Sequence, residues 1–292
     1  MKSENAMFAR LKFRAWTARK YDRKISEEVA EIHNAPPSAG RYNKRLIDHP
    51  AYERVISALG DARVFHYKNT LASHLDGWRV LTTSNFEPYS DGIRKRKQKV
   101  SMLVSDLVEA WPEAIAEARA RLNGMFSDGD YPDPRGLHER FGIEVSIIPL
   151  PNPGAFCPGL EGEAAEEAIA NVREQEAKAV EASMRDLWEK LYSPVSKMVE
   201  RLSDPNAIFR DSLVENLREM VEILPRLNFT GDGRFDELVQ RARSLSVHQP
   251  QALRDDKALR ADVAAKAAEI AAQMAAFMGG SPSSETLMRK AV

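Results

Sequence analysis

M-R-D-L-W-E-K-L-Y-S-P-V-S-K-M-V-E-R-L, Met184 to Leu202, decides the fold class. Met184, Leu187, Leu191, Val195, Met198 and Leu202 recur at steps of three and four. That spacing places apolar side chains on one face of an α-helix. The helical reading covers Glu163 to Leu202, with Pro194 as a kink or break. S-D-P, Ser203 to Pro205, reads as a cap with proline at the next helix's first position. Leu213, Leu217, Met220 and Leu224 then form a second stripe. Gly231-Asp232-Gly233 separates a further helix, Phe235 to Val247. A last helix is expected from Asp255 to Met278. Ten alanines lie between Ala258 and Ala276, a thin seam suited to close helix packing within the chain or between copies. Gly279 to Thr286 reads as a flexible tail.

Towards the N-terminus the pattern stays helical but becomes more charged. Phe8 to His33 is expected to be one helix, on Phe8, Leu11, Ala15, Ala18, Ile25, Val29 and Ile32. N-A-P-P-S-A-G, Asn34 to Gly40, is a loop. Helices follow from Pro50 to Asn69, from Ser84 to Trp111, and from Pro112 to Asn123-Gly124. Residues 70–83 read as loop or a short extended piece. I-E-V-S-I-I, Ile143 to Ile148, carries the clearest strand signal and needs a partner from elsewhere in the chain or from another copy. Pro149 to Gly162 is proline- and glycine-rich and reads as a linker. The expected fold is mainly α, of long helices with at most one or two short strands. Residues 1–150 form a basic, aromatic-rich region and residues 151–278 a helical packing and oligomerisation region, with residues 279–292 as the tail.

The 292 residues suffice for a sizeable core. No apolar run approaches the roughly 18 residues of a membrane span. M-K-S-E-N-A-M-F lacks the apolar core of a secretory signal. The single cysteine, Cys157, leaves no internal disulfide and fits a reducing cytoplasm. No phosphate-binding glycine loop, zinc motif or nucleophile elbow occurs. Asp128, Asp130, Asp133 and Glu139 imitate a calcium loop, but Asp133 stands where that loop needs glycine. Neither enzyme nor cofactor is expected.

Net charge is -1. Residues 8–99 nevertheless hold 19 Lys and Arg against 10 Asp and Glu. A basic segment of this kind suits a polyanion. Rings are interleaved with the cations. Arg10, Lys12, Arg14, Arg19, Lys20, Arg23 and Lys24 surround Phe13, Trp16 and Tyr21. Tyr42 lies among Arg41, Lys44 and Arg45. A-R-V-F-H-Y-K sets Phe65, His66 and Tyr67 between Arg63 and Lys68. Trp78 precedes Arg79, and Arg94, Lys95, Arg96 and Lys97 form a run. Single-stranded nucleic acid needs both groups, cations along the phosphates and ring faces against unpaired bases. On a helix, Phe65 is expected to face the core, while His66 and Tyr67 with Arg63 and Lys68 belong to a binding face. Tyr42 and Trp78, in loops beside cations, are the best stacking candidates. A run such as Arg94–Lys97 is also what a solvated helix face looks like.

W-T-A-R-K-Y-D-R-K, G-R-Y-N-K-R-L-I, A-R-V-F-H-Y-K-N-T-L, L-W-E-K-L-Y and R-L-S-D-P-N-A-I-F-R-D-S-L-V-E-N-L-R-E-M resemble a family of bacteriophage proteins. The likeness runs from Trp16 to about Leu227. That family includes the single-stranded-DNA-binding RNA polymerase cofactor of N4-like bacteriophages. The resemblance implies a largely helical, novel, non-OB architecture and self-association as a homo-oligomer. It also implies a phage RNA polymerase as partner, in the cytoplasm of the infected host. It assigns no DNA-contacting residue. A scaffold protein whose basic face docks an acidic partner is the alternative.

Overall fold

The computed structural model describes residues 5–150 and 162–277. Ten α-helices and six strands are present among them. The linker from residue 151 to 161, with Cys157, and the tail beyond Phe277 lie outside the described residues. A mainly α fold is therefore observed, with more strand than the sequence suggested.

The chain divides into two units that do not follow the linear split at residue 150. Among the described residues, 5–10, 67–89, 146–150 and 162–277 form a helical unit, whereas 11–66 and 90–145 form a second, hairpin unit.

In the helical unit, β1 (Ala6–Arg14) pairs antiparallel with β5 (Arg79–Thr82), Phe8 opposite Val80. β4 (Leu71–Ala72) pairs with β5 on its other side. β6 (Gly142–Pro149) completes the order β4-β5-β1-β6, so the partner of the expected strand comes from this chain. The expected helix from Phe8 to His33 is helical only over Arg23–Ile32, and its first half is strand. Leu11 and Phe13 alternate with exposed Lys12 and Arg14, the period of two that a strand requires.

The core of this unit joins Phe8, Leu71 and Val80 to four helices. These are α6 (Glu163–Leu202), α7 (Ser212–Leu227), α8 (Gly233–Leu245) and α10 (Lys257–Phe277), with α9 (Pro250–Asp255) leading into the last. The expected stripe is buried at Leu187, Leu191, Val195, Met198 and Leu202. Truncating one such leucine to alanine costs about 2–5 kcal/mol. α6 continues through Pro194. Ser203 closes α6 rather than opening the next helix, which corrects the expected start at Ser203-Asp204-Pro205. The carbonyls left unpaired at the end of α6 are satisfied by buried Arg260. Its guanidinium donates to Arg201 O at 2.7 Å and Leu202 O at 3.3 Å, and to Ala207 O at 2.8 Å in the following loop.

In the hairpin unit, α2 (Pro50–Lys68), α3 (Phe86–Glu109), α4 (Trp111–Leu122) and the short α5 (Leu137–Arg140) supply most of the core. Ile47, Tyr52, Val55, Leu59, Leu107, Trp111 and Phe141 are buried there. Trp16 packs edge-on to Tyr52, with centroids 6.1 Å apart, and lies 5.7 Å from Trp111. β2 (Arg19–Tyr21) and β3 (Asn43–Arg45) form a two-stranded ladder, followed in sequence from β2 by α1 (Arg23–Ile32). The chain turns into β2 through Ala18, which is buried and left-handed at φ 51°. That conformation costs a non-glycine residue about 1–2 kcal/mol; the bond from Leu46 N to Ala18 O, 2.7 Å, holds it.

Candidate nucleic-acid interface

The β2–β3 ladder concentrates cations that the sequence spaces 24 and 26 residues apart. Arg19 stands opposite Arg45, and Lys20 opposite Lys44. Like charges directly across a ladder are destabilising unless counter-charges compensate them. Two of these cations are compensated by a buried cluster. Lys44, only 6 % exposed, reaches Asp130 at 2.6 Å and Asp22 at 3.3 Å, and donates to Met125 O at 2.9 Å. Lys20 reaches Asp130 at 2.5 Å. Burial disfavours the Lys44 ammonium, but Asp130 and Asp22 outweigh it and hold its pKa above the ordinary lysine value. Burial likewise works against the Asp130 carboxylate, and Lys20 with Lys44 overcomes it, so its pKa lies below the usual range. Asp22 is lowered as well, mainly by the Ile25 backbone N–H it accepts and then by Lys44.

Lys44 is thus a structural cation, which corrects its place on the expected binding face. Arg45 is tied to Asp48 at 3.0 Å and to Glu53. Arg19 is exposed and forms no ion pair among the described residues.

Two rings border the ladder. Tyr42 is pinned by its backbone: its N–H donates to Ser26 Oγ at 3.0 Å and its carbonyl accepts from Asp22 N at 3.0 Å. Its side chain remains 39 % exposed and Tyr21 is 45 % exposed, with the Arg41 guanidinium 5.8 Å from the Tyr21 centroid. Tyr42 and Arg41 also line a pocket of about 310 Å³ whose apolar lining is Val29, Ala30, Ala35 and Ala39, with His33 beside them. Pockets from about 300 Å³ upward accept small ligands. The sequence reading named Tyr21 among the cations without placing it at the site. Strand pairing, not spacing, sets it one register position from Tyr42.

The other expected site residues do not join this face. Lys12 is exposed on β1, and Arg14 is bound to Glu144 at 3.1 Å and to Glu139 O at 3.0 Å. Arg63 covers the Phe13 ring at 5.0 Å. His66 is 2 % exposed and so presents no ring at the surface, contrary to the expectation. It falls four residues after buried Ala62, on the inward stripe of α2. Phe65 instead lies against α3: a Cβ on Gly92 would sit 2.1 Å from its ring, and the Arg96 guanidinium lies 3.9 Å from its centroid.

Four residues belong to the helical unit. Tyr67 is half-exposed but carries the Arg79 guanidinium 4.5 Å from its centroid. Arg79 donates to Asp186 at 2.8 Å and to Thr70 Oγ1 at 2.8 Å. Lys68 pairs with Glu219 at 2.5 Å. Trp78 packs on the core, 6.3 Å from Phe8, with Arg10 at 5.8 Å. It is not an open loop ring, which corrects its ranking as a stacking candidate.

The Arg94–Lys97 run divides. Arg94 pairs with Asp91, and Arg96 is bound to Asp61 at 3.3 Å. Lys95 and Lys97 are exposed on α3 and form no ion pair among the described residues.

Carboxylates of the calcium-like loop also hold cations: Asp128 reaches Arg119 at 2.6 Å, and Asp130 serves the ladder. His49, Glu113 and Glu117 bring possible metal ligands within 4.8 Å of one another. Yet His49 Nδ1 accepts from Ala51 N at 3.2 Å. Its Nε2 lies 3.9 Å from Glu113. No described helix is long and apolar enough to cross a membrane. Comparison with family models, curated proteins and solved structures returns no match.

Proposed function

We propose that the β2–β3 ladder binds single-stranded DNA, with phosphates along Arg19 and Arg41, which form no ion pair among the described residues, and unpaired bases against Tyr21 and Tyr42. The observation that carries this reading is the ladder itself. It sets Arg19 opposite Arg45 on the side that carries exposed Tyr21, with exposed Arg41 and Tyr42 leading into β3. Duplex DNA hides its base faces and has no use for the rings, whereas each stacked base is worth about 1–3 kcal/mol to a single strand. Lys95 and Lys97 add a second cationic stretch. Binding of this type shows little sequence preference and falls steeply with salt, because released counterions drive it.

In the setting the family resemblance implies, the protein is a non-enzymatic transcription cofactor. It helps bring a phage RNA polymerase to single-stranded promoter DNA in the infected cytoplasm, as a homo-oligomer of a novel, non-OB architecture. Fluorescence anisotropy of a labelled single strand at two salt concentrations tests the binding, with Tyr42→Ala as the decisive variant. Affinity should fall by roughly tenfold or more while melting is unchanged. A second reading, protein docking through apolar rather than basic surface, rests on one observation: Val29 and Ile32 of α1 are 48 % and 75 % exposed. Loss of protein capture by Ile32→Ser, with strand affinity intact, would support it.

A further inference from the structure

The helical unit holds a groove of about 670 Å³ that the charge pattern along the sequence conceals. Lys68, Lys190, Lys197, Arg201 and Arg210 line it, against a single acidic lining residue, Glu189. Its other side chains include Ile208, Leu213 and Met220, which are apolar, and Ser193, Ser212 and Asn216, which can donate and accept hydrogen bonds.

The cations are incompletely compensated. Lys197 and Arg210 form no ion pair among the described residues, and Arg201 reaches only Glu200, at 3.5 Å. Lys190 is the sharpest case, with a side chain only 14 % exposed. Its ammonium donates to Tyr67 O at 2.7 Å and lies 3.8 Å from Asp186. That carboxylate oxygen already accepts from Ala72 N at 2.6 Å and from Arg79 at 2.8 Å. Burial accordingly pushes the Lys190 pKa down, against the pull of Asp186. An anion entering the groove would relieve this deficit, since a buried charge is stable only when paired. Ser212 and Leu213 open α7, whose N-terminal end adds positive potential. Ile208, 91 % exposed, leaves apolar surface uncovered in the same groove.

We infer that this groove binds a nucleotide, its phosphate held by Lys190, Lys197 and Arg210 and its ring against Ile208 and Leu213. Bare phosphate would use the cations but neither the volume nor the apolar side chains. The volume falls within the range of small-molecule sites. A free nucleoside phosphate and the phosphorylated end of a strand share this chemistry.

The test is calorimetric titration of the full chain with a nucleoside triphosphate, with pyrophosphate, and with short oligonucleotides carrying or lacking a 5′-phosphate. One saturable site per chain is expected for the nucleotide. The combined Lys197→Ala and Arg210→Ala variant should weaken it by about tenfold or more, without a change in melting. Ile208→Ser should weaken the nucleotide and leave pyrophosphate unaltered. An additional saturable site seen with the 5′-phosphorylated oligonucleotide, and lost in its unphosphorylated form, would assign the strand end as the source. Saturation by the triphosphate alone would assign the free nucleotide. The site fails if neither ligand saturates it, if the double variant binds as tightly as the parent, or if pyrophosphate matches the nucleotide. Tyr42→Ala should leave the triphosphate and pyrophosphate titrations untouched, so failure here and failure at the β2–β3 ladder remain separable.

Discussion

The helical unit and the hairpin unit use the same ingredients, arginines and aromatic rings, for different ends. In the helical unit Arg79 is half sunk between Asp186, Thr70 and the Tyr67 ring, and Arg10 rests on Trp78 against Phe8. Those cations hold strands to a helical core. In the hairpin unit one lysine, Lys44, is spent internally on Asp22 and Asp130, while Arg19, Tyr21, Arg41 and Tyr42 stay open. A basic, ring-rich stretch is therefore not in itself a binding face. Exposure after the counter-charges have folded in decides it. The charge totals make the same point. Residues 8–99 hold 19 cations against 10 acids, but the hairpin unit as folded holds 20 against 17, because residues 90–145 bring their acids with them.

The largest expected effect lies on the structural side of this contrast. Arg79→Ala removes the closest cation from Asp186, leaving it the Ala72 N–H and Lys190 at 3.8 Å, and should cost about 3 kcal/mol of stability. Denaturant unfolding measures that loss, and strand affinity corrected for folded protein should not change. Gly92→Ala forces the Phe65 ring off α3 and should cost about 1–3 kcal/mol in the same assay. Tyr42→Ala should behave in the opposite way, losing about 1–3 kcal/mol of single-strand affinity at unchanged stability. If Tyr42→Ala lowers melting as Arg79→Ala does, the contrast between the units collapses.

Smaller still is the effect of acid on the ladder. Asp22 and Asp130 have lowered folded pKa values, so their stabilising contribution is complete above the ordinary carboxylate value of about 4. It is lost as pH falls through the lowered values. Amide exchange in β2 and β3 should quicken there before that in α6. Lys95→Ala with Lys97→Ala should trim the salt slope by at most about two and leave the ladder intact.

Much of the fold was legible in the sequence where a periodic stripe runs long. α2, α3, α4 and α6 lie close to their expected bounds, and β6 is where its apolar run predicted. β1 was missed because Phe8, Leu11 and Ala15 fit a helical step while Leu11 and Phe13 fit a strand. Nothing local separates the two, and the decision comes from pairing with β5. Three-residue strands such as β2 and β3 carry no periodicity at all, so the ladder was invisible, and with it the pairing of Tyr21 with Asn43 beside Tyr42. His66 was legible on geometry: its phase follows Ala62. Its flanking cations drew it towards a surface role. Trp78 could not be placed without knowing that Phe8 pairs with Val80 in the neighbouring strand.

The most direct measurement is anisotropy of a labelled single strand and of its duplex, at low and moderate salt, with the parent protein and a Tyr21→Ala, Tyr42→Ala variant. The open ladder predicts tight, salt-sensitive preference for the single strand, lost when the two rings are removed. Equal binding of strand and duplex, or no dependence on the rings, would contradict it and leave the β2–β3 face as a protein-docking surface.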